Sequence, residues 1–196
     1  MEPTTEVWER WRELLGWVDG WFDPDAAAGH DFTPDEREAF VALSTAWQAN
    51  PDKLAALEAM SERFGRDVVT SVVRTLCADD TAAYWKDLAA REGRRLDDLL
   101  RLLWGPLPSQ GFDFTFEKRA DGVQTHVVRC PMAGFAADLE ATGYASARTW
   151  LYEIVCSTDF HVAQAFEQPL AFERSKTLMQ GDDHCNHRYV TGAPPA

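Results

Sequence analysis

Gly105-Pro106-Leu107-Pro108-Ser109-Gln110-Gly111, followed at once by Phe112-Asp113-Phe114-Thr115-Phe116-Glu117, decides the fold. The paired prolines and glycines end any helix, since proline lacks the N–H a helix needs and glycine visits backbone angles that other residues avoid. Beyond them phenylalanine alternates with polar residues, the period of a strand with one buried face. The stretch is a passage from helices to sheet.

Upstream the apolar residues recur at helical spacing. Val7, Trp8, Trp11, Leu14, Leu15 and Val18 mark an amphipathic helix from Thr5 to Phe22, capped by Thr4 or Thr5. Thr33-Pro34-Asp35-Glu36 supplies an N-cap, a first-turn proline and first-turn acids for a second helix to Ala49, and Asn50-Pro51-Asp52 repeats the device for a third, which Gly65 ends. Arg66 to Ala78 reads as a fourth helix. Asp79-Asp80-Thr81 caps a further one to Arg91, and Leu96 to Trp104 resumes the pattern after Gly93.

Downstream, Ala120-Asp121-Gly122 is a hairpin turn, and Val123 to Cys130 returns as a second strand that Pro131 stops. Helical patterns cover Met132 to Thr142 and Ala145 to Phe166, closed by Pro169. Leu170 to Met179 reads as a strand, Gln180-Gly181-Asp182-Asp183 as a turn and His184 to Thr191 as the last strand. The order β-β-α-α-β-β after a helical array gives an α+β fold: an antiparallel sheet with helices packed on one face.

Composition restricts the partners. A net charge of −13 argues against a nucleic-acid backbone and an anionic membrane, both of which need clustered cations. The local exception, Arg91, Arg94, Arg95 and Arg101, reads as a solvated helix face. No run of about 18 apolar residues occurs, and Met1 to Arg10 lacks the basic-then-apolar pattern of an export signal, so a cytoplasmic protein with reduced thiols is expected. The expected partner is a small-molecule substrate, with homo-oligomerisation left open.

The residues suited to chemistry lie between Cys130 and His187. On a regular helix Cys156 and Asp159, three apart, share a face, and a carboxylate there can orient a thiol or share a ligand with it. On a last strand Asp183, Cys185, His187 and Tyr189 point one way, and a Cys with a His in reach serves as nucleophile and base or as two metal ligands. Packing alone is an equally complete account of each pair, because free cysteine is among the most buried residue types. Cys130 ends its strand at the sheet rim. His161 falls off the Asp159 face, His30 and His126 have no distinguishing context, and Cys77 reads as a core thiol. The nucleophile-elbow, P-loop, dinucleotide-binding and H-E-x-x-H motifs are absent from the sequence.

Cys130-Pro131, then Cys156-Ser-Thr-Asp159, then Lys176-Thr-Leu-Met-Gln-Gly181-Asp-Asp-His-Cys185 together resemble the L-2-amino-thiazoline-4-carboxylic acid hydrolase family. The resemblance is firm from Val123 to Val190 and loose from Phe64 to Trp104. It departs at Asn186-His187, where family members carry an acid or polar residue followed by Phe. Residues before Gly65 find no counterpart in it, so the chain reads as a helical extension over 1–64, an α+β domain over 65–192 that resembles the family, and a disordered tail over 193–196. The resemblance implies hydrolytic opening of a thiazoline ring at its amidine carbon, in the form of C–N bond hydrolysis. Cys156 or Cys185 would be the nucleophile, Asp159 the orienting or proton-transferring carboxylate, Lys176 or Arg174 an anchor for a substrate carboxylate, and His187 and Asp183 part of the rim. Cys130, Cys156, Cys185 and Asp159 converging on a divalent metal that activates water is the other arrangement, and the cofactor stays unknown. A non-hydrolytic cyclisation or rearrangement enzyme of a biosynthetic pathway and a small-molecule sensing domain are the competing readings.

Overall fold

A computed structural model describes residues 5–166 and 170–192. The expected cap at Thr4, the closing Pro169 and the tail 193–196 lie outside those residues. The chain is α+β, with helices in its first half and a four-stranded antiparallel sheet in its second, ordered β1-β2-β4-β3.

The helices are α1 (Thr5–Leu15), α2 (Pro34–Ala49), α3 (Lys53–Phe64), α4 (Arg66–Glu92) and α5 (Leu96–Leu99). Capping acts as the sequence indicates. The Thr33 hydroxyl accepts from the Glu36 N–H while the Glu36 carboxylate accepts from the Thr33 N–H, and Asp52 accepts from the Ala55 N–H at the start of α3. Two expectations fail. The first helix ends at Leu15, and Gly16–Phe22 continues as a 3-10 segment. The break expected at Asp79-Asp80-Thr81 is absent, because α4 runs unbroken for 27 residues. Thr81 is buried there and Asp79 is drawn to His30 at 2.7 Å, so both sit in the helix without capping it.

After the 3-10 turn Leu107–Gln110 come β1 (Asp113–Arg119), β2 (Gly122–Arg129), α6 (Pro131–Ala141), α7 (Ala147–Leu151), α8 (Asp159–Gln164), β3 (Leu170–Glu173) and β4 (Arg188–Thr191). The strands are shorter than the alternation suggests. β3 stops at Glu173, and the last strand proper starts at Arg188, with Cys185 attached only by a bridge to Val127. β1 is an edge strand, and its expected buried face is only partly covered: Phe116 is 46% exposed.

Register places Val127 opposite Cys185 and Val123 opposite Tyr189, while the Thr125 N–H donates to the His187 carbonyl at 2.7 Å. One face therefore carries buried Val123, Thr125, Val127, Cys185, His187 and Tyr189, and the other carries exposed Val128. Ala89 of α4, Leu99 of α5, Trp104, and Val162 and Ala163 of α8 cover the buried face. A second core joins α1 to α4 with α6 and α7. In it Trp11 meets Trp47 at 5.8 Å, Phe22 stacks on Trp47 at 4.0 Å, and Phe135 and Trp150 close the cluster. Buried residues from Trp11 to Leu57 thus share a core with the downstream helices.

Gly122 makes the closest turn of the sheet. Its φ is 151°, and a Cβ there would lie 1.9 Å from the Tyr189 carbonyl oxygen. Gly134, on the exposed side of α6, has open space around it. Gly122→Ala should lower the urea midpoint, with a cost of about 1–3 kcal/mol for the strained backbone and the displaced strand, whereas Gly134→Ala should hold or raise it by up to about 1 kcal/mol. Equal midpoints for the two variants would contradict this account of the sheet.

Candidate functional site

Two departures from α-helical geometry set up the site. The helix expected from Ala145 to Phe166 is α7, a π-helical turn over Tyr152–Cys156, two turn residues and then α8, which begins at Asp159. Leu100–Trp104 is also π-helical. A π turn inserts an extra residue per turn and re-aims the side chains around it. The first is pinned to α4 by the bidentate pair of Arg74 Nε and Nη2 with the buried Glu153 carboxylate, at 2.6 and 2.7 Å. That pair raises the Arg74 pKa.

Asp159, delivered at the start of α8, is the centre. Its Oδ2 accepts from Arg174 Nη1 at 2.5 Å and faces His187 Nε2 at 3.3 Å. Arg174 is 2% exposed and Asp159 22%. Nη2 of Arg174 also donates to the Cys156 carbonyl at 3.0 Å, and the guanidinium lies 5.3–5.7 Å from the ring centroids of Tyr152, Phe160 and Phe172. Burial works against the guanidinium charge, and Asp159, Cys156 and Tyr152 outweigh it to leave the Arg174 pKa raised. Behind His187 stands Trp104, ring to ring at 5.1 Å, whose Nε1 donates to the Tyr189 hydroxyl at 3.2 Å. Nδ1 of His187 is buried without a hydrogen-bond partner among the described residues.

The thiols gather beside this cluster. Cys130, Cys156 and Cys185 are close enough to Asp159, and to one another, for their charges to interact. All four cysteines are free. Burial pushes Cys130 up to about 11, Cys156 well above the usual thiol value and Cys185 upward. Burial therefore shifts these thiols away from the thiolate that a nucleophile requires. Cys185 Sγ accepts from the Leu178 N–H at 3.2 Å, which ties it into the loop after β3. Among the described residues no group of three or more His, Cys, Asp or Glu side chains is placed to hold a metal ion.

The remaining candidates separate. Lys176 pairs with Asp183 at 3.0 Å on the surface, so this pair does not join the buried cluster. Asp183 is exposed whereas Cys185, His187 and Tyr189 are buried, so the common face expected from alternation holds only from Cys185 onward. Arg174 is a buried counter-ion to Asp159 and does not present a free guanidinium to a substrate carboxylate. Cys77 is a core thiol, as read, and Arg91 and Arg101 are engaged by Asp87, Glu92 and Asp98.

Asp159 also lines a cavity of about 720 Å³. Thr158 and Val162 flank it there, Asp80, Thr81, Tyr84 and Trp85 of α4 form one wall, and Trp17 and Trp21 of the first 3-10 segment form another. None of those aromatic residues stood out in the sequence as site residues. The four-residue spacing of Trp17 and Trp21 and the adjacent Tyr84-Trp85 were the available signals, and both read equally well as core.

A family model described as L-2-amino-thiazoline-4-carboxylic acid hydrolase matches residues 47–189, most of the chain. The match starts inside α2, earlier than the Gly65 limit drawn from the motifs alone. No curated protein and no solved structure matches the chain.

The raised thiols give a signed pH dependence. A folded chain keeps the Cys130 proton up to about pH 11, whereas the unfolded chain releases it near 9. The unfolded state then binds fewer protons, so stability must fall as pH rises through that window, by roughly 1.4 kcal/mol per pH unit for one thiol. Urea unfolding at pH 8 and pH 10.5 should show this loss, and Cys130→Ala should reduce it. An identical loss in the variant would mean that Cys130 is not buried as a neutral thiol.

Proposed function

Because this chain belongs to the L-2-amino-thiazoline-4-carboxylic acid hydrolase family, we propose that it hydrolyses a C–N bond in a small cyclic amidine bound in the aromatic cavity, with Asp159 as the catalytic carboxylate. The observation that carries the reading is the double position of Asp159. It belongs to the buried Arg174–His187 cluster and at the same time lines the cavity.

Both partners of Asp159 converge on Oδ2, and among the described residues no hydrogen bond forms to Oδ1. A carboxylate held from behind in this way keeps its orientation, and one oxygen stays available to the substrate. In the proposed reaction, with the amidine as its cation, Asp159 takes a proton from a water as the water oxygen bonds to the amidine carbon and the C=N π pair passes to the ring nitrogen. The tetrahedral adduct then collapses: an oxygen lone pair forms the C=O, the ring C–N bond breaks with its electron pair on the departing nitrogen, Asp159 returns its proton there, and the hydroxyl proton passes to the released amine. Arg174 and His187 act as positioning residues. The thiols, neutral by burial, are assigned no covalent step.

With 2-amino-2-thiazoline as substrate and mass spectrometry of a product one water heavier as readout, Asp159→Asn should lower kcat by about 10²–10⁴-fold, the usual share of acid–base catalysis. Since this change leaves a buried guanidinium unpaired, Asp159→Asn/Arg174→Met is the partner experiment, and near-UV circular dichroism should show both proteins folded. Cys156→Ala should keep most of the turnover. Full activity in a folded Asp159→Asn variant, or its loss in a folded Cys156→Ala variant, would defeat the assignment.

A further inference from the structure

The cavity beside Asp159 has a lining unlike that of a site for acidic substrates. Its described residues contribute two carboxylates, Asp80 and Asp159, and no Lys, Arg or His. Asp80 forms no hydrogen bond or ion pair among the described residues, in contrast to its neighbour Asp79, which holds His30. Burial raises the Asp80 pKa, and Asp79 adds to the rise against an opposing effect of His30. An anionic ligand would meet two like charges here, and the net charge of −13 would repel it on approach.

The apolar walls are aromatic. Trp17 and Trp21 stand edge to face with centroids 4.8 Å apart, and Trp17 is 52% exposed although it is a large ring. Tyr84, 60% exposed and one helical turn from Asp80 on α4, lines the same cavity. Exposed rings beside an unpaired carboxylate, here Asp80, are the combination that attracts cations, because the ring face is the negative end of its quadrupole. Planarity follows from the same lining: a flat ligand stacks on Trp17 or Tyr84, and paired N–H donors match a carboxylate in the bidentate way that guanidinium groups do. The volume of about 720 Å³ exceeds the needs of a five-membered ring and lies within the range of drug-sized ligand sites.

We propose that this cavity selects a flat organic cation of the amidinium class that carries no carboxylate, and that Asp80 and Trp17 are its specificity residues. The inference rests on the reading of Asp159 as the reacting carboxylate and adds the ligand class to it. Asp80 then recognises the charge while Asp159 performs the chemistry. Trp17 and Trp21 precede the family match at residues 47–189, so this wall is supplied by sequence outside the matched segment.

Benzamidine, benzamide and benzoate test the proposal as cation, neutral isostere and anion of one shape, titrated into the full chain at pH 7 by calorimetry and by tryptophan quenching. Benzamidine should bind at least about tenfold more tightly than the other two, and Asp80→Asn and Trp17→Ala should each weaken it about tenfold. Both side chains are on the surface, so the variants should fold, with thermal midpoints near that of the parent. Benzoate or benzamide binding as well as benzamidine, or unchanged benzamidine binding in folded Asp80→Asn, would overturn the proposal. Binding is read without turnover, so the two readings fail separately. Cation binding in a protein that hydrolyses nothing removes the hydrolase and leaves the site. Turnover that is unaffected by Asp80→Asn, in a protein that ignores benzamidine, removes the site and leaves the hydrolase.

Discussion

The ion pair of Arg174 with Asp159 is the constraint around which the C-terminal half is arranged. A guanidinium that is 2% exposed has left water almost completely, and such a charge is tolerable only with an opposite charge in good geometry and with its other N–H groups satisfied. The 2.5 Å contact to Oδ2, the bond to the Cys156 carbonyl and the three surrounding rings meet those conditions. Each condition fixes a different element. Asp159 fixes the start of α8, the Cys156 carbonyl fixes the end of the π turn, and Phe172 fixes β3. Removing one partner of such a pair costs about 3–5 kcal/mol, because the charge left behind stays buried. The geometry of the site and the stability of this half of the fold are therefore not separable.

The aromatic layer makes the same demand on the sheet face. Trp104 touches Phe114, Phe116, His187 and Tyr189, and its indole N–H finds the Tyr189 hydroxyl, so the largest ring of the layer has no polar group unsatisfied. The same cluster buries Cys185, and a thiolate without water or a cation beside it is unfavourable. The raised thiols follow from the same burial that holds His187 in place. Asp159 is the residue that reaches both this buried cluster and the cavity.

Much of this was legible in the residues. The Gly105–Gly111 passage, the helix caps at Thr33 and Asp52, the hairpin at Gly122 and the alternation of Cys185, His187 and Tyr189 all act locally, and local rules describe them. The three motifs with Cys130, Cys156 to Asp159 and Lys176 to Cys185 lie within the family match at residues 47–189. The failures share a cause. Asp79-Asp80-Thr81 was read as a cap because those residue types favour caps, yet in α4 the burial of Thr81 and the pull of His30 on Asp79 override that preference. A π turn has no signature in a pattern read at 3.6 residues per turn, so the helix through Cys156 looked regular. Arg174 looked like a substrate anchor because a sequence cannot show that its guanidinium is already committed inside the protein.

The N-terminal wall shows the limit of motif reading most plainly. Trp17 and Trp21 lie outside the family match, yet the segment that bears them is fixed by the main core. Val18 and Phe22 are fully buried, Phe22 stacks on Trp47, and the Ser44 hydroxyl donates to the Phe22 carbonyl at 2.5 Å. Trp47 in turn donates its indole N–H to Asp19 at 2.9 Å. A segment anchored at Val18 and Phe22 has its remaining faces determined, so Trp17 is presented to the cavity by the packing of those two residues. Substitutions on that outward face can alter what the cavity accepts without disturbing the core that supports it. Changes at Asp159 cannot, since the buried Arg174 depends on it for its counter-charge.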